Sequence, residues 1–431
     1  MEEIFIKKIH INQVRNIKDF EIPISETEKK HLIITGKNGS GKTSLLNELK
    51  FYLGNVISGT YDYYIKHLEY LKRPIFTLPN YKSQTDIFSS IILPSKPEEA
   101  RDFFKEREEI EQTENWFEKF KSINIDISDY DSANEKFEKG NFTLAFFGAK
   151  RNIILKDPVG ITKVELKPYY EIEENAGQDF IQYIVNLKAD KSFARDDKDF
   201  DEANKIDDWF QQFEEKLFDL FEAKDAHLVF DRKSYNFNIF EPGKEPYNLN
   251  QLSDGYSAIL NIVTELIMRM EEHKSKNYDV QGIVLIDEIE THLHIELQKK
   301  VLPFLISFFP KIQFIVTTHS PFVITSVNNA VVCDLEKREV ISDDLSGYSY
   351  ETIVESYFDS DKFSDVLKEK VAEYETLMSK SNLDDDEVEK LNELNIYFDG
   401  VPKIFADELV VKLQQIKLKN LKKKVQNDSS S

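Results

Sequence analysis

A glycine-rich segment near the start of the chain has the spacing of a phosphate-binding loop, G-x-x-x-x-G-K-T. An apolar run at residues 32–34 precedes it and several leucines follow it, which predicts a buried strand before the loop and a helix after it. Glycines let successive backbone N–H groups turn towards phosphate oxygens at the positive end of such a helix. We therefore expect a nucleoside triphosphate to be bound by nine residues: Gly36, Lys37, Asn38, Gly39, Ser40, Gly41, Lys42, Thr43 and Ser44.

Two residues at the end of this loop have the functional groups that a bound triphosphate needs. The Lys42 ammonium would reach the β- and γ-phosphates, and the Thr43 hydroxyl would be a ligand of Mg²⁺. A glycine-rich turn with an incidental lysine is the alternative interpretation. The agreement of strand, spacing and helix favours phosphate binding with Mg²⁺.

Two adjacent carboxylates follow a second apolar run, at residues 283–286. Such a run is typical of a parallel strand that is buried on both faces, and its end lies at the carboxyl edge of the sheet. There Asp287 would help to hold the Mg²⁺ bound by Thr43, and Glu288 would act as a base that polarises the attacking water. Acids that cap the following helix are the alternative, and the presence of the phosphate loop favours the first interpretation.

A histidine and a small turn are further candidates. His319 follows the apolar run 314–316, and a neutral imidazole at a strand end can donate a hydrogen bond to a γ-phosphate. A capping or core histidine is the alternative. Ser253 and Gly255 precede an apolar helix, where a Ser-x-Gly turn forms an anion site, although these residues are also ordinary turn residues.

Taken in order, the four motifs resemble the ATP-binding-cassette (ABC) ATPases: Walker A, signature, Walker B with its glutamate, and switch histidine. More narrowly, the chain resembles the soluble branch that holds RecF, the SMC-type ATPases and the overcoming-lysogenisation-defect (OLD) ATPases. The resemblance rests on Leu252-Ser253-Asp254-Gly255-Tyr256, on the run from Asp287 to His294, and on Thr317-Thr318-His319-Ser320-Pro321. It covers roughly residues 1–50 and 226–335. It implies that Arg15, at the end of the opening strand, approaches the nucleotide.

The same resemblance implies a fold and an assembly. We expect an α/β ABC-ATPase head with a parallel core sheet and an N-terminal antiparallel sheet, spanning residues 1–345. A mainly helical insertion would interrupt it at about 55–225, and residues 346–431 would form a helical C-terminal region. Two heads would bury ATP between them, with Ser253 and Gly255 of one head facing the nucleotide of the other. Either Lys150 or Arg151 would replace the glutamine that this family carries after a core strand.

Composition limits the partners and the compartment. A net charge of −22 gives the chain no broad electrostatic attraction to nucleic acid, which is bound largely through lysine and arginine contacts to phosphate. The single cysteine, Cys333, excludes an intramolecular disulfide and favours a reducing compartment. No signal peptide and no membrane span are expected from the apolar runs. We expect a cytoplasmic protein.

The region after residue 345 bears on the choice between family branches. It is too short for the toprim nuclease of OLD-type ATPases, so a nuclease on this chain is not expected. An ATPase without that domain resembles the ATPase subunits of bacterial anti-phage systems such as Septu, PARIS and certain retrons. This resemblance implies a slow ATPase that senses infection and controls a separately encoded nuclease or toxin. The alternative is a RecF-like DNA repair ATPase that clamps DNA.

Overall fold

The computed structural model describes most of the chain, in two compact units, Met1–Tyr348 and Ser349–Ser431. The described residues are 3–71, 97–151, 154–223, 225–274, 280–347, 365–380, 383–399, 413–414 and 416. Twelve strands lie in the described part of the first unit: β1 (Ile6–Val14), β2 (Ile17–Pro23), β3 (His31–Thr35), β4 (Ile123–Ile127), β5 (Phe142–Phe147), β6 (His227–Asp231), β7 (Asn236–Phe240), β8 (Tyr247–Asn248), β9 (Gln281–Ile286), β10 (Ile312–Thr317), β11 (Ala330–Asp334) and β12 (Glu339–Ile341).

Helices surround these strands and also form the second unit. Those of the first unit are α1 (Lys42–Ile57), α2 (Thr60–Leu71), α3 (Pro97–Glu118), α4 (Tyr130–Glu138), α5 (Phe180–Asp196), α6 (Phe200–Leu220), α7 (Asp254–Lys274), α8 (Ile295–Phe308) and α9 (Pro321–Ile324). Those of the second unit are α10 (Asp365–Ser379) and α11 (Asp385–Asp399). The combination confirms the predicted α/β class.

The central layer is a six-stranded sheet in the order β12-β11-β3-β10-β9-β5. Neighbours from β11 to β5 pair in parallel, and only the edge strand β12 runs antiparallel. Strands β3 and β10 are buried along their whole length, because their apolar runs are covered on both faces. Since β3, β10 and β9 are adjacent and parallel, the loops that follow them meet at one edge of the sheet.

A second sheet, in the order β2-β1-β4, is antiparallel and shares its core with the central layer. Isoleucines of β1, such as Ile9 and Ile11, cluster with Leu45 and Leu49 of α1 and with Ile315 of β10. Helix α1, which begins directly after the phosphate loop, is therefore fixed by the cores of both sheets.

The predicted insertion at 55–225 contains two strands that complete the sheets of the head. Strand β4 pairs with β1, and β5 pairs in parallel with β9 along its whole length. Alternating isoleucines make β4 half-buried, and the apolar run of β5 is covered by the core. The other regular elements that the structure describes in this range are helices, and α5 packs on α6 through aromatic rings, with Phe180 and Phe213 5.5 Å apart between ring centroids.

The second unit contains the pair α10 and α11, which share a small core that includes Tyr374 and Phe398. Residues 400–412 and 417–431 of the predicted C-terminal helical region lie outside the described residues. None of the helices in the described part of the chain is long and apolar enough to cross a membrane.

Candidate functional site

The predicted nucleotide residues follow three adjacent parallel strands. The phosphate loop, residues 36–43, leaves β3, the paired acids leave β9, and His319 comes directly after β10 and Thr318. Backbone hydrogen bonds join these strand ends, because Thr318 N donates to Ile34 O at 3.0 Å and Ile289 N donates to Thr317 O at 3.0 Å. The carboxyl edge of the sheet thus gathers the three motifs.

The phosphate loop has a conformation that its glycines make possible. Gly36 and Gly41 have φ values of 132° and 105°, which disfavour other residues, and a Cβ at Gly36 would lie 2.9 Å from Ser40 Oγ. Lys42 is buried, and its Nζ donates to the carbonyls of Gly36 at 2.8 Å and Lys37 at 3.1 Å. The lysine therefore folds back over its own loop.

This loop fits an anionic group such as a triphosphate. Gly41 is the N-cap residue of helix α1 and gives it no side-chain cap, and no acidic residue lies in the first turn of the helix. Its first N–H groups and the positive end of its dipole are therefore available to an anion. Among the described residues, the buried hydroxyls of Thr35 and Ser40 have no hydrogen-bond partner.

A hydroxyl and a carboxylate stand together where a magnesium ion is expected. Thr43 Oγ1 donates to Asp287 Oδ1 at 3.3 Å, and Thr317 Oγ1 donates to the same oxygen at 2.6 Å. These are hard oxygen ligands of the kind that Mg²⁺ prefers. In the described ranges, no group of three or more His, Cys, Asp or Glu side chains could hold a metal ion. Mg²⁺ commonly takes water and substrate phosphate as ligands beside one or two protein oxygens, which a hydroxyl and a carboxylate would supply here.

Glu288 is held in an unusual backbone conformation beside this pair. Its φ is 46°, in the left-handed region that a residue with a Cβ seldom adopts. Its backbone N–H donates to Thr317 Oγ1 at 2.7 Å, and its carboxylate accepts from Thr291 Oγ1 at 3.2 Å. The Thr317 hydroxyl therefore orders both acids, a role that the motif pattern did not single out.

His319 lies next to the acids and is positioned through Glu290. The backbone N–H of His319 donates to Glu290 Oε1 at 2.5 Å, and Thr318 Oγ1 donates to the other oxygen of the Glu290 carboxylate at 2.7 Å. Burial, followed by the positive charge of Lys42, lowers the pKa of His319, so its imidazole is neutral at neutral pH. Burial also lowers the pKa of Lys42, while Glu288 and the neighbouring acids oppose this effect.

The candidates Ser253 and Gly255 flank the start of the helix α7, Ser253 directly before it and Gly255 in its first turn. Ser253 O accepts from Ser257 N at 2.8 Å, and a Cβ at Gly255 would lie 2.9 Å from His292 O. The turn is thus packed on the segment that follows the paired acids. Tyr256, the next residue, packs against Phe221 at the end of α6, with ring centroids 4.2 Å apart and the rings tilted by 48°. The cluster around Asp287 is built without these residues.

Five further candidates are Arg15, which precedes β2, and Lys37, Asn38, Gly39 and Ser44, which lie in the phosphate loop or directly after it. Arg15 is exposed in the turn between β1 and β2 with φ 51°, and the next strand contacts the loop through Ile17, whose Cδ1 would lie 3.4 Å from a Cβ at Gly41. Lys37 forms an exposed ion pair with Glu336 at 2.9 Å. Asn38 is exposed, as is Gly39 beside it, and Ser44 is half-buried in the first turn of α1.

Of the two residues predicted to replace a glutamine after β5, only Arg151 is buried. Lys150 is exposed, whereas Arg151 has 4% of its surface exposed and contacts the backbone after β9. Burial lowers the pKa of Arg151 to about 10, and the three acids at 287, 288 and 290 oppose this effect. The guanidinium therefore keeps its positive charge at neutral pH.

Comparison with known proteins finds one family and several relatives that are similar to this chain. The sequence model of the family described as "AAA domain, putative AbiEii toxin, Type IV TA system" matches residues 32–325. The Septu protein PtuA of Bacillus mycoides (strain KBAB4) is 25% identical over 365 residues, which are 82% of this chain and 44% of PtuA. The "Retron Vc95 probable ATPase" of Vibrio cholerae serotype O1 biovar El Tor is 23% identical over 384 residues, 74% of this chain and 72% of the relative.

The chain thus spans less than half the length of the PtuA relative. Among solved structures, the SMC head domain from Thermotoga maritima is 13% identical and aligns with 76% of this chain and 94% of that chain, with a TM-score of 0.33. The family match includes the phosphate loop, the paired acids and His319. Because it extends over more than half of the sequence, the chain belongs to this AAA domain family.

Proposed function

We propose that this chain binds ATP with Mg²⁺ and hydrolyses it slowly. The observation that carries the proposal is the contact between Thr43 and Asp287, which joins the phosphate loop to the paired acids at 3.3 Å. A hydroxyl at the start of a phosphate-binding helix and a carboxylate at the end of the neighbouring buried strand are the protein ligands of Mg²⁺ in P-loop ATPases.

Each residue of the cluster has a distinct task in this proposal. Lys42 and the first N–H groups of α1 bind the phosphates, and Thr43 with Asp287 holds the metal, which neutralises phosphate charge when bound. The Glu288 carboxylate accepts a hydrogen bond from the attacking water and polarises it. His319, neutral at neutral pH, donates a hydrogen bond to the γ-phosphate.

The proposal includes a dimer joined by nucleotide. Ser253 and Gly255 lie at the start of the helix α7. In our proposal the backbone N–H groups there form an anion site that the Asp287 cluster of the same chain does not use. We place them against the γ-phosphate bound by a second copy. Loss of the γ-phosphate would remove the charge that joins the two heads, so ATP would act as a switch of assembly.

The biological role that we propose is anti-phage defence. Two relatives are named a Septu protein and a retron ATPase, and the family description names a toxin–antitoxin system. In our proposal, the ATP-joined assembly senses infection and controls an effector, a nuclease or a toxin, that a separate gene encodes. The acidic surface agrees with a protein partner better than with DNA.

Phosphate release and co-purification test this proposal together. The wild-type chain, Glu288→Gln and Lys42→Ala would be expressed with the flanking genes and purified through a tag on the ATPase. We expect slow ATP turnover in the wild-type protein and none in the two variants. We also expect the product of a neighbouring gene to co-purify with the ATPase. An absence of ATP binding would refute the ATPase. Tight DNA binding that weakens steeply with salt, without a protein partner, would favour the DNA-clamp alternative.

A further inference from the structure

Arg151 touches neither the phosphate loop nor a side chain of the paired acids in its hydrogen bonds; it binds their backbone. Its Nη1 donates to Asp287 O at 2.9 Å, and its Nη2 donates to Glu288 O at 2.7 Å and to Ile289 O at 3.3 Å. A guanidinium is a planar, rigid fork of donors, whereas a lysine ammonium is a single point of charge. One buried side chain therefore fixes three consecutive carbonyls.

The backbone N–H groups of the same three residues donate hydrogen bonds to residues of β5 and β10. Asp287 N donates to Phe147 O at 2.8 Å, and Thr317 accepts from the N–H groups of Glu288 and Ile289. At Glu288, whose φ is 46°, both the backbone N–H and the carbonyl are therefore hydrogen-bonded. A left-handed conformation is unfavourable for a residue with a Cβ, so it persists only where its surroundings impose it.

We propose that Arg151 is a positioning residue for Glu288, acting on its backbone and not on the substrate. The inference rests on the proposed ATPase function for its kinetic consequence. Its structural consequence stands apart: without the fork, the segment 287–289 opens more often, even when no nucleotide is present. The carboxylate of Glu288 then occupies its working position for a smaller fraction of the time.

The first test is amide hydrogen exchange on the nucleotide-free, full-length protein. Arg151→Lys keeps the charge but loses the fork, and Arg151→Met keeps the stem but loses both. We expect the peptide that contains residues 287–289 to exchange about tenfold faster in both variants, since hydrogen bonds to charged groups are worth at least that factor. Unchanged exchange in this peptide would overturn the inference.

Arg269→Lys is the matched control for the general loss of a buried arginine. Arg269 is also buried, and it donates to Leu144 O at 2.6 Å and Tyr170 O at 3.3 Å while it pairs with Glu265 at 2.7 Å. This variant should disturb its own contacts and leave the exchange of 287–289 as in the wild type. Faster exchange of 287–289 in this control as well would show that Arg151 has no specific role.

ATP turnover gives the second readout. We expect Arg151→Lys to lower kcat about tenfold with little change in KM, and to slow the Glu288→Gln variant no further, because both changes act on one group. A raised KM with unchanged kcat would overturn the inference. A wild-type chain without turnover would refute the proposed function instead, and the exchange comparison would still decide whether Arg151 fixes the backbone.

Discussion

At the scale of single residues, the Thr317 hydroxyl connects the two acids of the candidate site. It donates to Asp287 Oδ1 at 2.6 Å and accepts from Glu288 N at 2.7 Å, and Thr317 is fully buried. A hydroxyl can do both at once, because it carries one donor and two acceptor sites. The carboxylate that would hold Mg²⁺ and the backbone of the proposed base are therefore positioned by one side chain.

Replacing Thr317 by valine should lower the rate of ATP turnover. Valine keeps the shape of the side chain but leaves the Glu288 N–H buried without an acceptor, which costs about 1–3 kcal/mol of folding free energy. It also removes the hydroxyl that holds the Asp287 carboxylate, so this side chain can rotate. We expect kcat to fall about tenfold or more in steady-state phosphate-release assays. Thr317→Ser, which keeps the hydroxyl, should retain most of the activity. Equal rates for the valine variant and the wild type would contradict this role.

The residues of the candidate site divide into those that a motif reveals and those that only the fold brings close. Lys42, Thr43, Asp287 and Glu288 lie in short patterns with a clear chemical reason, so they were predicted as candidates. The supporting roles of Thr317 and Glu290 were not, since their partners lie about thirty residues away along the chain. A threonine pair after an apolar strand carries no signal of such contacts by itself.

At the scale of the elements, one buried glutamine joins the two sheets of the head. Gln313 of β10 accepts from Ile6 N at 2.7 Å and donates to Ile6 O at 3.1 Å and Lys30 O at 2.7 Å. It is fully buried beside apolar residues of the strand, and its amide satisfies both backbone groups of Ile6. The central strand and β1 are thus linked by hydrogen bonds as well as by their common core.

Replacing Gln313 by leucine should destabilise the head. The change leaves the Ile6 N–H and two carbonyls buried without a hydrogen-bond partner. We therefore expect the free energy of unfolding to fall by about 2–4 kcal/mol in urea titrations. Gln211→Leu, at an exposed position of α6, is the control and should change stability by less than about 0.5 kcal/mol. A Gln313→Leu protein as stable as the control would rule out this link.

The pairing of β3 with β10 has a pH-dependent component at His31. His31 Nδ1 accepts from Phe314 N at 3.0 Å, and burial, followed by the charge of Lys29, lowers the pKa of His31 from 6.5 to about 3. Because the folded pKa lies below the unfolded one, this stabilisation is complete above pH 6.5. It is lost as the pH falls towards 3.

Urea unfolding at several pH values tests this component. From His31 we expect stability to fall by about 1.4 kcal/mol for each pH unit below about 6.5. His31→Asn keeps an acceptor near the position of Nδ1 but cannot take up a proton, so its stability should depend less on pH. The same pH slope in the wild type and the variant would show that His31 does not titrate on unfolding.

The elements themselves were predictable to different degrees. Apolar runs identified the central strands and the α/β class, since a strand buried on both faces has no polar face to obscure it. The range 55–225 was predicted as a mainly helical insertion, yet β4 and β5 within it belong to the sheets of the head. Strand β4 is short and half-buried, and its partner β1 is more than a hundred residues distant in sequence, so no local pattern indicates the pairing.

At the scale of the whole molecule, net charge determines how readily two copies of the chain associate. A net charge of −22 opposes close approach of two copies at low ionic strength. In the proposed dimer, the cationic groups of the phosphate loops and the bound metal ions would meet phosphate at the interface. Association should therefore depend on nucleotide and Mg²⁺, since neither copy has a general attraction for the other.

Native mass spectrometry of Glu288→Gln, with and without ATP and Mg²⁺, tests the central claim most directly. The variant retains the proposed phosphate and metal ligands but lacks the base, so hydrolysis should not disperse the complex. We predict a nucleotide-dependent species of two chains with two ATP molecules, absent from the Lys42→Ala/Glu288→Gln double variant. A folded Glu288→Gln protein whose mass shows neither bound ATP nor any nucleotide-dependent association would contradict the account.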